Sequence, residues 1–344
     1  MQTDIAVVGA GYWGPNLIRN FAALPECRLK LVCDKNPDVS AAAAAKFAVQ
    51  TTIDLNDVLQ DETIRAVAIA TPASTHFALA RQCLLHGKHV LVEKPFVLDI
   101  GQGEELIALA AERGLVLMVD HIFLFNPAVR KLASLIQEGV LGKIRYIRAA
   151  RTSLGPRVCE DTNIVFDAQI HDVYILQFLL NATAVSVAAT GGSFLRPGIE
   201  DVVFTTLSFP GGAIANLHNT SYAPIKERRM IVVGDRAMCI YDDMRPDSPL
   251  ELCDCGFEPI AGTDELGNRG LRLYDRGKSV QAVEKAESLR IECAHFIDCV
   301  NTGKQPLSTG RAALNVMKTL GAIDAALKSG QPVQIDPARA AVAD

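Results

Sequence analysis

Residues 5–16 read Ile5-Ala6-Val7-Val8-Gly9-Ala10-Gly11-Tyr12-Trp13-Gly14-Pro15-Asn16. A short apolar run of strand length enters a G-x-G-x-x-G turn, and a helical pattern leaves it. Glycine-rich turns are common, so the triplet gains meaning only from its place between strand and helix. There Gly9 permits the tight turn, Gly11 lets the backbone approach a pyrophosphate, and Gly14 lets the helix pack close to the strand. The helix N-terminus then offers N–H groups and a partial positive charge to the phosphates, with Tyr12 and Trp13 inside the same turn. Asp34 follows Gly14 by twenty residues, at the end of the next apolar run. A carboxylate there either accepts hydrogen bonds from the adenosine ribose or simply caps a turn. As a ribose ligand it repels a 2′-phosphate and favours NAD, while Lys35 beside it leaves NADP open. S-adenosylmethionine and FAD are the other ligands such a turn accepts.

Working outward, apolar runs at residues 5–8, 29–33, 66–70, 90–93 and 115–119 alternate with helical patterns at 16–24, 39–47, 54–59, 74–86 and 103–113. Strands apolar on both faces, separated by helices, argue for a parallel sheet covered on both sides. The pattern changes near residue 120. A helix is predicted over 127–138, a strand over 144–151 and a long helix over 165–180. Strands at 184–190, 202–209, 213–221, 229–233 and 238–241 then succeed one another without helices, which predicts a large antiparallel or mixed sheet. Helices near 283–301 and 310–327 close the chain, and 243–282, rich in Asp, Gly, Pro and Arg, reads as irregular loop. The fold class is thus α/β: a Rossmann domain over 1–122, then an α+β domain with a large open sheet over 123–344.

Composition narrows the function classes. With 34 Lys+Arg against 39 Asp+Glu, the chain of 344 residues carries a net charge of −5 and offers no basic field to nucleic acid. Its hydrophobic fraction of 49% excludes disorder. The longest apolar stretch, 115–125, is broken by Asp120 and His121 and is too short for a membrane span. Nine cysteines, an odd and scattered set, suit reduced thiols in the cytoplasm, and the start of the chain does not read as a signal peptide. Cys253 and Cys255 lack a second pair at zinc spacing, so no metal is expected.

Two more segments end predicted strands, where open α/β sheets bind ligands: Thr71-Pro72-Ala-Ser-Thr-His76 and Glu93-Lys94-Pro95. By themselves they are ambiguous, since Pro72 and Pro95 simply end strands and a Glu-Lys pair is usually solvated. Taken in order, Gly9–Gly14, Thr71-Pro72…His76, Gly87-Lys88-His89-Val90-Leu91-Val92-Glu93-Lys94-Pro95 and Asp167-x-x-x-His171-Asp172 resemble the glucose–fructose oxidoreductase/inositol dehydrogenase/MocA (Gfo/Idh/MocA) family across essentially the whole chain. The resemblance implies NAD(P)-dependent oxidation or reduction of a sugar or cyclitol hydroxyl. It also implies a homodimer or homotetramer built through the open sheet. Residues 11–16 and 121–130 are similar to a branch that includes 3-dehydrogenases of UDP-N-acetylglucosamine or its uronate. That branch usually has Trp-Asp-Leu-Ala-Pro-His-Asp where this chain has Phe166-Asp-Ala-Gln-Ile-His-Asp172.

The implied chemistry is hydride transfer between a sugar carbinol carbon and nicotinamide. Such a hydroxyl is a very weak acid, so a base must take its proton as the hydride leaves. His171 is the implied base and Lys94 the donor to the same oxygen, although Lys94 is itself a candidate acceptor. Asp167, four residues before His171 on a predicted helix, is expected on the same face, orienting the imidazole or contacting another hydroxyl. Thr71, Pro72, His76 and Glu93 join the expected cofactor contacts. Asn126 either touches substrate or caps the helix at Pro127, while Arg157, Lys226 and Arg228, with Arg151 and Arg229, are the cations open to a substrate anion. An NAD(P)-binding sensor would keep the turn and lose the proton-transfer groups; all three are present, which favours an enzyme. A dehydrogenase of a non-sugar substrate, such as a dihydrodiol, fits the same residues.

Overall fold

The structure, a computed structural model, describes residues 2–155 and 162–336. The chain divides into two compact units: residues up to Asn126 with Ala286–Met317, and Pro127–Lys285 with the residues from Lys318 on. A single boundary near 122 was expected from the sequence; residues 286–317 instead return to the first unit.

That unit runs β1 (Thr3–Val8), α1 (Gly14–Ala23), β2 (Cys27–Cys33), α2 (Pro37–Phe47), β3 (Thr51–Thr52), α3 (Asn56–Leu59), β4 (Ile64–Ile69), α4 (His76–Leu85), β5 (His89–Val92), α5 (Ile100–Glu112) and β6 (Leu117–Val119). The described strands pair in parallel in the order β3-β2-β1-β4-β5-β6, the doubly wound topology whose strand order reverses between β1 and β4. Every residue of β1 is buried, as its apolar run demands. On one face Val8, Ile69 and Val92 meet Ala80, Leu84 and Leu106 of α4 and α5. Each fully buried aliphatic side chain contributes about 1.5–3 kcal/mol to this packing. Asn36 caps α2 by accepting the Asp38 N–H at 3.0 Å, and Asp99 caps α5 through the Gln102 N–H at 3.0 Å.

The second unit contains α6 (Pro127–Gln137), β7 (Ile144–Leu154), α7 (Ile170–Leu180), β8 (Ser186–Gly192), β9 (Val202–Ser208), β10 (Ile214–Thr220), β11 (Tyr222–Gly234), β12 (Met238–Asp242), β13 (Leu250–Thr263) and β14 (Arg269–Val280). The chain goes on through α8 (Ser288–Thr302), α9 (Gly310–Ser329) and β15 (Val333–Gln334). Among the described residues the sheet has the order β14-β13-β12-β11-β7-β10-β9-β8-β15, antiparallel except for the parallel pair β7–β10. Buried Ile147, Leu207, Leu217 and Val232 line one face, whereas Tyr146, Phe204 and Ile214 stand exposed on the other.

Two expectations fail here. Residues 243–282 are not an irregular loop, since most of them form the long β13–β14 hairpin. Its strands are largely exposed, so no apolar alternation marks them; cross-strand pairs such as Glu258 with Arg272, 2.7 Å apart, align them instead. The helix predicted over 165–180 opens with a π turn, Val165–Gln169, before α7 begins.

Candidate active site

The turn after β1 behaves as its glycines require. Gly9 has φ +96°, and a Cβ there would lie 2.6 Å from the Ala70 carbonyl oxygen. A Cβ on Gly14 would meet the Gly9 carbonyl oxygen at 2.1 Å, so the close approach of helix and strand excludes any side chain. A Cβ on Gly11 meets nothing within 4 Å, which leaves the backbone open to a ligand on that side. No side chain caps the N-terminus of α1; Pro15 carries no N–H and the Asn16 N–H goes to the Trp13 carbonyl at 2.9 Å, so it is the positive end of the helix dipole that faces an anion. Asp34 Oδ2 accepts the Ala10 N–H at 2.8 Å and its Oδ1 accepts the Asn36 N–H at 2.9 Å. These two bonds hold the carboxylate beside the turn, and each oxygen keeps a lone pair for a ribose hydroxyl. The residues present therefore fit a dinucleotide. Tyr12, 84% exposed, and half-buried Trp13 complete the turn.

The neighbouring strand ends supply the rest of this edge. Thr71 follows β4, and its hydroxyl lies 2.7 Å from that of Thr75. His76, expected among the cofactor contacts, starts α4 with both ring nitrogens facing backbone carbonyls. It is 1% exposed, with Nδ1 at 2.9 Å from the Pro95 carbonyl and Nε2 at 2.9 Å from that of Thr71. It joins the turns after β4 and β5. Burial pushes its imidazole pKa down against the pull of those two carbonyls. Glu93 and Lys94 are half-buried after β5, and the Lys94–Pro95 peptide is cis. Beyond β6, Asp120 receives the indole N–H of Trp13 at 3.0 Å, and burial, then the nearby Lys94 charge, pushes the His121 imidazole down to about 3. Half-buried Asn126 lies in extended backbone just ahead of α6.

In the second unit Asp167 lies within the π turn and His171 in the first turn of α7. The four-residue spacing therefore crosses a wider i→i+5 turn, not the α turn assumed from sequence. His171 Nδ1 is 2.9 Å from the Tyr174 hydroxyl, with the rings edge-on. Next to it Asp172 is buried and bound to Arg151 Nη2 at 3.0 Å and Asn219 Nδ2 at 2.7 Å. Gln169 continues the network, donating to Asn219 Oδ1 at 2.7 Å and Thr205 Oγ1 at 3.0 Å. This array pins the base of α7 onto β7, β9 and β10, and it commits the Arg151 charge to the fold. Arg228 is likewise paired, with Asp243 at 3.3 Å, and Lys226 is exposed on β11. Arg157 lies outside the described residues. Among the described residues no three or more His, Cys, Asp or Glu side chains gather as for a metal, and no helix is long and apolar enough to cross a membrane.

Sequence reasoning passed over Tyr174 and Asp120. Asp120 had a signal, a carboxylate inside an otherwise apolar run, but Tyr174 had none.

Comparison with known proteins agrees with this geometry. Residues 3–121 match the model of an oxidoreductase family with an NAD-binding Rossmann fold, and residues 129–240 match the GFO/IDH/MocA C-terminal domain. The chain is 32% identical over 311 residues to UDP-N-acetylglucosamine 3-dehydrogenase of Acidithiobacillus ferrooxidans, covering 90% of this chain and 93% of that one. The solved structure of UDP-N-acetylglucosamine 3-dehydrogenase GnnA from the same organism superposes with a TM-score of 0.81 at 26% identity, covering 96% of this chain and 98% of that chain. The structure of GenD2 from gentamicin A biosynthesis, in complex with NAD, gives a TM-score of 0.81 at 25% identity, covering 97% of each chain. With both domains matched, the chain belongs to the GFO/IDH/MocA family of NAD-binding oxidoreductases.

Proposed function

We propose that the protein transfers a hydride between NAD and a secondary hydroxyl of a sugar nucleotide, at C3 of a UDP- or dTDP-hexose derivative. What supports the substrate class is the likeness to a UDP-N-acetylglucosamine 3-dehydrogenase over 90% of the chain. The nicotinamide, when bound, exchanges the hydride. Lys94 donates a charged hydrogen bond to the reacting oxygen, which favours a developing alkoxide in one direction and polarises a ketone in the other. His171, whose Nδ1 meets the Tyr174 hydroxyl, exchanges the oxygen's proton. Asp167 contacts a further hydroxyl or steadies the imidazole. Asp34 selects NAD over NADP by charge.

The reading is tested by following NADH absorbance with NAD and a panel of UDP-sugars, dTDP-sugars, free sugars and inositols. Turnover is expected on a nucleotide sugar, and Lys94→Ala and His171→Ala should each lower kcat by about a hundredfold or more. Unchanged turnover in either variant would sink the site assignment, and NADH binding with no turnover on any substrate would favour a sensor. The proton acceptor is identified by pH profiles: the variant that abolishes the acid limb of kcat has lost it.

The exposed apolar residues on one face of the large sheet support a homo-oligomer, dimer or tetramer, built through that face. The sequence's scattered cysteines, eight of them free among the described residues, support a cytoplasmic location.

A further inference from the structure

The phosphate turn is tied down by a group that the hydride chemistry does not use. Trp13, the only tryptophan in the chain, sends its indole N–H to Asp120 Oδ2 at 3.0 Å. Asp120 follows β6 and is 2% exposed; Glu292 on α8 is 0% exposed. After burial, the largest influence on each carboxyl is the other. Both Glu292 oxygens are buried and, as a carboxylate, it has no hydrogen-bonding partner within bonding geometry. Two touching carboxylates in a dry interior repel each other, and each buried ion costs several kcal/mol. One proton between them removes the repulsion and one of the two buried charges, because a protonated carboxyl donates and its neighbour accepts.

Asp120 already accepts the Trp13 N–H, whereas neither Glu292 oxygen accepts a hydrogen bond, so the proton belongs on Glu292. Burial raises the Asp120 carboxyl, but contact with Glu292, the Trp13 N–H and the Lys94 charge all draw it back down. For Glu292, burial pushes the carboxyl well above the usual range, Asp120 and then Glu93 push it further, and the His121 backbone N–H draws it back less. Facing the pair are also His121, kept neutral by burial and then by Lys94, and Cys293, whose thiol burial and Glu292 push up.

We propose that Asp120 and Glu292 share one proton, carried on Glu292, and that this pair positions the Trp13 indole, and with it the phosphate turn, for the dinucleotide. The proposal rests on the reading of that turn as the dinucleotide site. Glu292 acts through Asp120, and Asp120 through Trp13; both are positioning residues. Glutamine is a neutral mimic of a protonated glutamate, so Glu292→Gln keeps the donor. Asn at a position that must accept from two donors turns its NH2 against one of them, so Asp120→Asn breaks the arrangement.

The test titrates the full chain with NADH, read by NADH fluorescence, with circular dichroism as the check on folding. Glu292→Gln should bind within about threefold of wild type, while Asp120→Asn and Trp13→Phe each bind about tenfold more weakly. The double variant Trp13→Phe/Asp120→Asn should bind no more weakly than the worse single variant, since both cut one chain of contacts. The proton is read separately from Trp13 emission. In wild type the emission should step at alkaline pH as the shared proton leaves, and in Glu292→Gln that step should vanish. Equal losses in Glu292→Gln and Asp120→Asn, or an unchanged step in Glu292→Gln, overturn the proposal. Should Asp120→Asn fail to fold, Trp13→Phe and the emission titration decide. If wild type binds no NADH, the dinucleotide reading falls, and the emission step still judges the pair.

Discussion

Three glycines share one turn but do different work, and substitution separates them. At Gly14 the obstacle to a side chain is the protein's own backbone, the Gly9 carbonyl oxygen at 2.1 Å. Gly14→Ala must push α1 off β1 and should cost about 3 kcal/mol or more, seen as a lowered thermal midpoint. At Gly11 a methyl group meets nothing within 4 Å. Gly11→Ala should therefore leave the midpoint unchanged while weakening NADH by about tenfold or more, since the added atom occupies the side the pyrophosphate must approach. Melting curves and NADH titrations on both variants check this, and an unweakened Gly11→Ala would deny that approach. These roles were legible in sequence because glycine's chemistry is backbone chemistry, local to the turn. Asp34 was legible for a similar reason, standing at a fixed distance past the turn. The place of His76 at this edge was legible, but not that its ring nitrogens would face the backbone carbonyls of Pro95 and Thr71, since that contact spans two separate turns.

Elements were legible where one face is buried and hidden where it is not. The alternating strands of the first unit announced themselves because burial on both faces selects Val, Ile and Ala. The β13–β14 hairpin did not, since its alignment rests on exposed pairs such as Arg272–Glu258 that leave no apolar period. The π turn ahead of α7 was equally invisible, as a change of hydrogen-bond offset from i→i+4 to i→i+5 leaves an apolar helix looking apolar. Its consequence is real, because Asp167 and His171 sit on either side of the change. What steadies that region is Asp172, with only 5% of its side chain exposed, against Arg151 at 12%. Asp172→Ala takes the buried carboxylate away from the Arg151 guanidinium and the Asn219 amide and should cost about 3–5 kcal/mol. Replacing both partners by apolar residues, Arg151→Met with Asp172→Leu, should recover most of that loss, because the burial cost of the charges goes with their attraction. Denaturant unfolding of the three proteins measures both. Near-equal losses in the single and double variants would mean that packing, not charge pairing, sets the cost.

At the level of the whole molecule, the sequence foresaw two units but not that residues 286–317 return to the first, because a chain reversal leaves no compositional mark. It did foresee an open sheet, and the exposed face now has particular residues. Ile214 is 48% exposed and stands opposite Tyr146, 50% exposed, on the neighbouring parallel strand. Phe204, 44% exposed, stacks on His218 at 4.4 Å on the same face. Exposed apolar side chains gathered on one sheet face suit an interface, and a symmetric contact would bury them against its own copy. Ile214→Arg should cost a single chain less than about 0.5 kcal/mol, because the position is already wet. At a two-fold contact the same change brings a new cation close to exposed Arg148, two residues along the strand from Tyr146, and to its symmetry mate. Light scattering after size exclusion should then show wild type at a multiple of the chain mass and Ile214→Arg at the mass of one chain, with NADH still bound. A wild type already at single-chain mass would remove the assembly. A variant that stays assembled would move the contact to another surface. A variant that dissociates and also loses NADH would mean that the cofactor site depends on the contact, which the position of the phosphate turn, wholly within the first unit, argues against.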